Sequence, residues 1–410
     1  VRRTEAPDNR IRVLAVADSD SYVKLSAAML DAFPGQGYTG GLVVVRSPIA
    51  PSETQLRAAV EGTGWAGRRI PVLTALQIRG LVRRNRPDTV ILNCTGPVVD
   101  ALAPVLSGAV RGHRLVLVTA LPGISVPATE KAWLYRFRTD LFVVHSHREV
   151  AEFDSLREKC GATGEVALAT LPFLPGAAER RSAPAAGRVV FAAQAKVPEQ
   201  RVDREAILLA LAELAEQRPD LDVVVKLRGR ENEAQTHRER FHYEALWREM
   251  AGEGRVRDGA VRFAAGAMAE QLTGARGFVT VSSTAALEAI ALEVPMVVLT
   301  DFGVGAEQIN LVFQDSGAFG TLADVRAARF HNPERRWSER NYFHDSTEND
   351  WSERLEGLVR RARRGELEAR PGLPEGPDQR RARRRSLIRL SVPVAAARSV
   401  GALFRRLRAW

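Results

Sequence analysis

Short unbroken runs of Val, Ile, Leu and Ala alternate along this chain with longer stretches whose apolar residues recur at helical spacing. The alternation happens twice. In the first series, residues 11–18, 41–47, 88–94, 114–120 and 140–146 read as strands, with helices over 21–33, 73–84 and 148–160. The strands are continuously apolar, which predicts parallel strands covered on both faces. A second series opens at 188–194. It continues through a helix at 204–217, a strand at 222–228, a helix near 240–250 and a short strand near 261–264. Residues 279–299 then read as strand, hydroxyl-rich turn, helix and strand. Between the series, residues 171–187 are rich in Pro, Ala, Gly and charge, as befits a linker. The fold class expected is α/β: two Rossmann-like doubly wound domains, 1–175 and 188–370, facing a central cleft, with a basic amphipathic tail at 379–410.

Composition narrows this picture. A chain of 410 residues is long enough for two cores. Cys94 and Cys160 stand far apart without a metal-type cluster, which argues against a disulfide framework or zinc site and fits a reducing cytoplasm. The first ten residues lack an apolar stretch, so no signal peptide is expected, and no run is apolar enough to predict a membrane span. From Gln379 onward there are ten arginines and no acid. They equal the net charge of +10, leaving residues 1–378 formally neutral. A neutral body offers no general footprint for nucleic acid, so no specific nucleic-acid partner is expected.

The candidate chemistry gathers where strands end. Ser282, Ser283 and Thr284 stand where a helix begins, so hydroxyls and free backbone N–H groups converge as a phosphate requires, unless they simply cap the helix. Glu288, one turn on, is placed to meet a sugar or ribose hydroxyl. The chain has no GxGxxG, GxxxxGK[ST] or HExxH, which argues against a typical dehydrogenase, a P-loop ATPase and a zinc metalloprotease.

The two Rossmann-like halves, the Ser/Thr turn and the Glu288-Ala-Ile…Pro295 continuation resemble the GT-B glycosyltransferase superfamily. Residues 17–24, Ala-Asp-Ser-Asp-Ser-Tyr-Val-Lys, also resemble a group of actinobacterial proteins labelled as glycosyltransferases of unknown specificity. Related architectures occur in bacterial sialyltransferases, capsule-polymer transferases, glycerophosphotransferases and UDP-sugar 2-epimerases. The resemblance covers roughly residues 10–330. It implies that Ser282 and Ser283 hold a donor phosphate. The His-Pro pair of the sialyltransferase-like branch is missing, and Lys226 and Arg228 stand in that place, either to neutralise phosphate or as solvated charges at a strand end. The His-Arg-Arg-Glu-Asn run of the epimerases is also absent. Gln194 and Lys196 follow the first strand of the second domain and are candidates for nucleotide contact or for a plain loop role.

On the acceptor side, Asp18 or Asp20 could take the acceptor proton in an inverting transfer, with Ser19 and Ser21 orienting the acceptor; otherwise Ser19 or Asp20 caps the next helix. Lys24 could pair with these aspartates, and Asn93 and Thr95 are weaker candidates after the third strand. His145 is read either as a base or as a structural histidine. Gly123, in a Pro-Gly turn, is expected to line the cleft, and Glu307 and Gln308 to contact donor sugar or base. No metal site is expected and no cofactor beyond the nucleotide-sugar substrate.

The expected function is transfer of a sugar from a nucleotide-sugar to a glycan or lipid-linked acceptor in cell-envelope polysaccharide synthesis. A sugar-nucleotide epimerase, a polyol-phosphate transferase and a non-catalytic binding protein are the alternatives. In the tail, arginines interleave with Leu, Ile, Val, Phe and Trp, which reads as a segment lying on an anionic membrane surface, or as a disordered basic tail. The expected location is cytoplasmic, peripheral on the inner face of the membrane.

Overall fold

The computed structural model describes residues 10–33, 37–110, 112, 114–171, 174, 187–229, 239–370 and 376–392. The first unit is built on β1 (Ile11–Ala17), β2 (Tyr38–Val45), β3 (Val72–Leu73), β4 (Thr89–Asn93), β5 (Val116–Ala120), β6 (Leu141–Val144) and β7 (Glu165–Leu168). These form one parallel sheet in the order β3-β2-β1-β4-β5-β6-β7. Its helices are α1 (Asp20–Asp31), α2 (Glu53–Ala59), α3 (Ala75–Asn85), α4 (Gly96–Ser107), α5 (Glu130–Leu134) and α6 (His147–Cys160).

The second unit contains β8 (Arg188–Ala192), β9 (Asp222–Lys226), β10 (Arg262–Ala264), β11 (Ala275–Thr280), β12 (Met296–Leu299) and β13 (Phe319–Gly320). They form a second parallel sheet, β10-β9-β8-β11-β12-β13. Around it lie α7 (Arg201–Gln217), α8 (Tyr243–Gly252), α9 (Met268–Leu272), α10 (Ala285–Ala291), α11 (Leu322–Arg326) and α12 (Arg335–Asn341). Two further helices follow, α13 (Trp351–Arg364) and α14 (Pro377–Ser391).

The strands are buried for the reason read from their composition: each sheet is covered on both faces. On one face of the first sheet, Val13, Ala15, Val44, Ile91 and Val118 pack under α1 and α13. On the other, Leu14, Val16, Val43, Leu92 and Leu117 pack under α3, α4 and Leu390 of α14. Helix α3 starts where Thr74 and Gln77 cap each other's backbone N–H groups, a reciprocal box that satisfies orphan donors.

Two C-terminal segments differ from expectation. Residues 351–370 fall inside the range expected for the second domain, yet Trp351, Leu355, Leu358, Val359 and Ala362 of α13 complete the core of the first. Their helical spacing gives an apolar stripe, and sequence alone does not say which sheet it covers. The start of the expected tail is α14, seated on the first unit through Leu387 and Leu390 rather than free of it. Residues 393–410, the rest of that tail, lie outside the described residues. Among the described residues no helix is long and apolar enough to cross a membrane.

Candidate functional site

In each sheet the strand order reverses beside the first strand, between β1 and β4 and between β8 and β11. Such a reversal opens a crevice at the carboxyl ends of the strands, where ligands of this architecture sit. At the second crevice, the Gln194 side chain reaches across from the loop after β8. Its Oε1 accepts from the Ser282 backbone N–H at 2.8 Å, and its Nε2 lies 2.8 Å from Ser282 Oγ. Thr280 Oγ1 accepts from Ser283 N–H, and Ser283 Oγ accepts from Ala285 N–H. The turn is therefore held in shape by its own hydroxyls. Thr284 occupies the cap position of α10 without a side-chain capping bond.

This turn lines a cavity of about 500 Å³ together with Gln194, Lys196, Lys226, Arg228, Met268 and, from the first unit, Ile124. Lys226 is only 6 % exposed. Its Nζ donates to the Leu227 carbonyl at 2.6 Å. Burial holds its pKa below the usual lysine value, while Glu288 and Glu270 pull the other way. Burial likewise raises the Glu288 carboxyl, opposed by Lys24 of the first unit and by Lys226. Glu288 is thus within electrostatic range of cations from both units. Arg228 and Lys196 are exposed at the cavity wall. Glu307 and Gln308 line an adjoining cavity of about 650 Å³ that shares Lys196 and Ile309 with the first. Asn310 pins the loop that carries them by accepting from Gly305 N–H and donating to the Gly303 carbonyl. Gly303 has φ +97°, in the region that favours glycine.

Across the cleft, Gly123 meets Thr284: a β-carbon at Gly123 would lie 3.0 Å from Thr284 Cγ2. The Pro-Gly turn is therefore a point of close approach between the units. Ser21 is exposed on the first turn of α1, and Asp20 opens that helix, half-buried. Ser19 is the N-cap residue but makes no side-chain capping bond, and it is buried.

Two expected catalytic residues require correction. Asp18 does not project into the cleft. It is fully buried, and its Oδ2 accepts from Thr95 N–H at 2.9 Å and from Thr95 Oγ1 at 2.5 Å. Burial lifts its pKa to about 6, against the lowering effect of Thr95 and Arg136. The residue ties β1 to the loop after β4, and Thr95, read as a weak ligand candidate, is its partner. His145 is also fully buried, with Nδ1 2.9 Å from the Ala169 carbonyl oxygen and Nε2 2.7 Å from that of Leu121. Burial holds its pKa below the usual value, and both ring nitrogens already face protein acceptors. It is a structural histidine.

Sequence reading missed two groups. Glu149 is fully buried, and its carboxylate accepts from Ser125 N–H, His145 N–H and the hydroxyl of Tyr342 in the chain's later half. Burial raises its pKa to about 7 despite these three donors. The network fixes the loop bearing Gly123 and ties it to the second unit. Arg204, 1 % exposed, donates to the carbonyls of Gln194 and Ala195 and pairs with Glu239, which fastens the loop after β8 from behind. A Glu at the third position after Ser146 signals a helix start, but nothing local to it points to Tyr342. Arg204 carries no motif at all. Among the described residues no group of three or more His, Cys, Asp and Glu could hold a metal ion.

The architecture matches solved structures over most of the chain. The S. aureus MnaA–UDP co-structure shares 11 % identity, with 88 % of this chain and 99 % of that one covered and a TM-score of 0.56. The Methanocaldococcus jannaschii UDP-GlcNAc 2-epimerase, in complex with UDP-GlcNAc and UDP, shares 12 % identity over 85 % of this chain and 100 % of that one, with a TM-score of 0.51. At such identities the likeness establishes the fold, two Rossmann-like units of GT-B type. No curated protein sequence matches the chain. A family model does match, over residues 13–358, and the chain belongs to the family it describes, "Putative glycosyltransferase (DUF6716)".

Proposed function

We propose that this protein transfers a sugar from a nucleotide-sugar to a glycan or lipid-linked acceptor of the cell envelope. The observation that carries the proposal is the cavity in which Ser282, Ser283, Thr284, Lys226 and Arg228 converge beside Ile124 of the opposite unit. The donor diphosphate lies against the hydroxyl turn, and the departing nucleotide's charge is met by Lys226 and Arg228, with no resident metal or cofactor. Glu288 takes a ribose or sugar hydroxyl. With Asp18 buried, Asp20 is the acceptor base. It stands one helical turn before Lys24, whose charge acts on Glu288 across the cleft, so that face of α1 is turned toward the donor. UDP is the first nucleotide to test, because solved proteins of this fold hold it.

The test is a thermal-shift panel of CMP, UDP, GDP and TDP on the purified chain. One nucleotide should raise the melting temperature, and stabilisation by none overturns the donor site. Asp20→Asn should then abolish transfer while leaving that shift intact. A second reading, epimerisation of a nucleotide-sugar, is favoured by the overlap with the M. jannaschii UDP-GlcNAc 2-epimerase, whose whole chain is covered. Proton NMR of UDP-GlcNAc incubated with the protein and no acceptor separates the two, since only an epimerase yields the C2 epimer.

A further inference from the structure

Among the described residues, one layer carries a marked excess of positive charge. Helices α3, α4 and α14 cover the same face of the first sheet, and their inward residues, among them Ile78, Val82, Leu102, Leu106 and Leu390, form one core cluster with it. Together these helices carry nine arginines against two aspartates, Asp100 and Asp378. Both aspartates are already engaged. Asp100 faces Arg138 at 3.2 Å and Arg383 at 3.8 Å, and Asp378 faces Arg381 at 3.7 Å. Arg79, Arg83 and Arg84 on α3 and Arg384, Arg385 and Arg389 on α14 are exposed and have no carboxylate partner among the described residues. Two large apolar side chains stand out to solvent in the same layer, Leu76 at 59 % and Ile388 at 49 % exposure.

We infer that the outer surface of α3 and α14 is a docking face for an anionic lipid bilayer. Arginines without acidic neighbours supply attraction to a negatively charged leaflet. Leu76 and Ile388 are placed to enter the headgroup boundary, where exposed aliphatic side chains favour lipid over a nucleic-acid backbone. The contribution of α3 is what sequence patterning of the tail does not suggest. The structure also changes the expected mode of binding. The apolar side of α14 is spent on Leu387 and Leu390 packing inward, so the helix lies on the protein rather than sinking its apolar face into the membrane. Attachment is then mainly electrostatic and reversible, with the first unit held at a fixed orientation to the bilayer.

The test is co-sedimentation of the full chain, without nucleotide, with vesicles of phosphatidylcholine alone or mixed with phosphatidylglycerol. Binding is expected only to the mixed vesicles and should be released by raising salt, which shortens the screening length to about 3 Å at 1 M. Replacing Arg384, Arg385 and Arg389 together by Gln should weaken vesicle affinity by roughly tenfold or more, and the same change at Arg79, Arg83 and Arg84 by a comparable factor. These positions are exposed, and unchanged melting temperatures would confirm intact folding. Equal binding to both vesicle types overturns the inference without any variant. So does undiminished binding by the α3 triple variant, which would put the contact elsewhere in the chain, or binding of duplex DNA by the same arginines with no vesicle binding. Because no nucleotide is present, failure here leaves the donor-site reading untouched.

Discussion

The two crevices are built alike and lined differently. In the first unit a side chain from the loop after the first strand, Asp18, grips the backbone N–H and hydroxyl of Thr95 in the loop beyond the neighbouring strand. In the second, Gln194 does the same to Ser282. The clamp is the shared device. Asp18 is an acid sealed from solvent, with its Oδ1 left without a hydrogen-bond partner among the described residues, and it serves the fold. Gln194 is neutral, half-buried, and forms part of the wall of a 500 Å³ cavity with a buried lysine beside it. One sheet-edge geometry can thus close a loop pair or border an open cavity.

Substitutions can break or sharpen this contrast. The largest effect belongs to the open crevice: Lys226→Met should cost about 2 kcal/mol of nucleotide binding, on the order of thirtyfold in Kd by titration calorimetry, with little change in melting temperature. Asp18→Ala should do the reverse. It should cost about 1–2 kcal/mol of stability in denaturant melts, because Thr95 loses its acceptor, while nucleotide affinity holds. An equal loss of affinity in both variants would collapse the distinction. Asp18 also predicts a pH signature. Its folded pKa of about 6 exceeds the ordinary 3.8, so the folded state keeps a proton that the unfolded chain releases. The contribution is fully present below pH 3.8 and is lost as pH rises through about 6, so the stability advantage of wild type over Asp18→Ala should shrink across that window. A smaller effect is expected where the units touch. Gly123→Ala places a carbon 3.0 Å from Thr284, which should lower stability by about 1 kcal/mol and weaken nucleotide binding a few-fold. Ser21→Ala, at an exposed position, should stay within about 0.5 kcal/mol in stability. A larger loss would mean that the hydroxyl is engaged in the fold.

The fold was legible where burial is total. Unbroken runs such as Val189 to Ala192 and Val90 to Leu92 are fully buried strands, and such runs carry their own signal. Short helices such as α2 and α5 were missed because fewer than two turns leave little periodicity to detect. At the candidate site, the cluster of Ser282, Ser283 and Thr284 was readable because a strand–turn–helix boundary is local. Asp18 was misjudged, and His145 left open between base and structural residue, because sequence places a residue at a strand's end but not the depth to which it sinks. Thr95, Leu121 and Ala169, which absorb their polar atoms, come from other loops. Tyr342 on Glu149 is more distant still, and only tertiary packing joins them.

The return of α13 to the first sheet has a consequence during synthesis. Leu168 ends the last strand of that sheet, but the core beneath it is finished only by residues up to Ala362. At roughly 5–20 residues per second, the first unit waits on the order of 10–40 s on the ribosome with the part of that face which α13 covers still open, while the whole second unit emerges. The half that is made first is therefore the half completed last, and a nascent chain stalled before Trp351 would offer that open strip to chaperones.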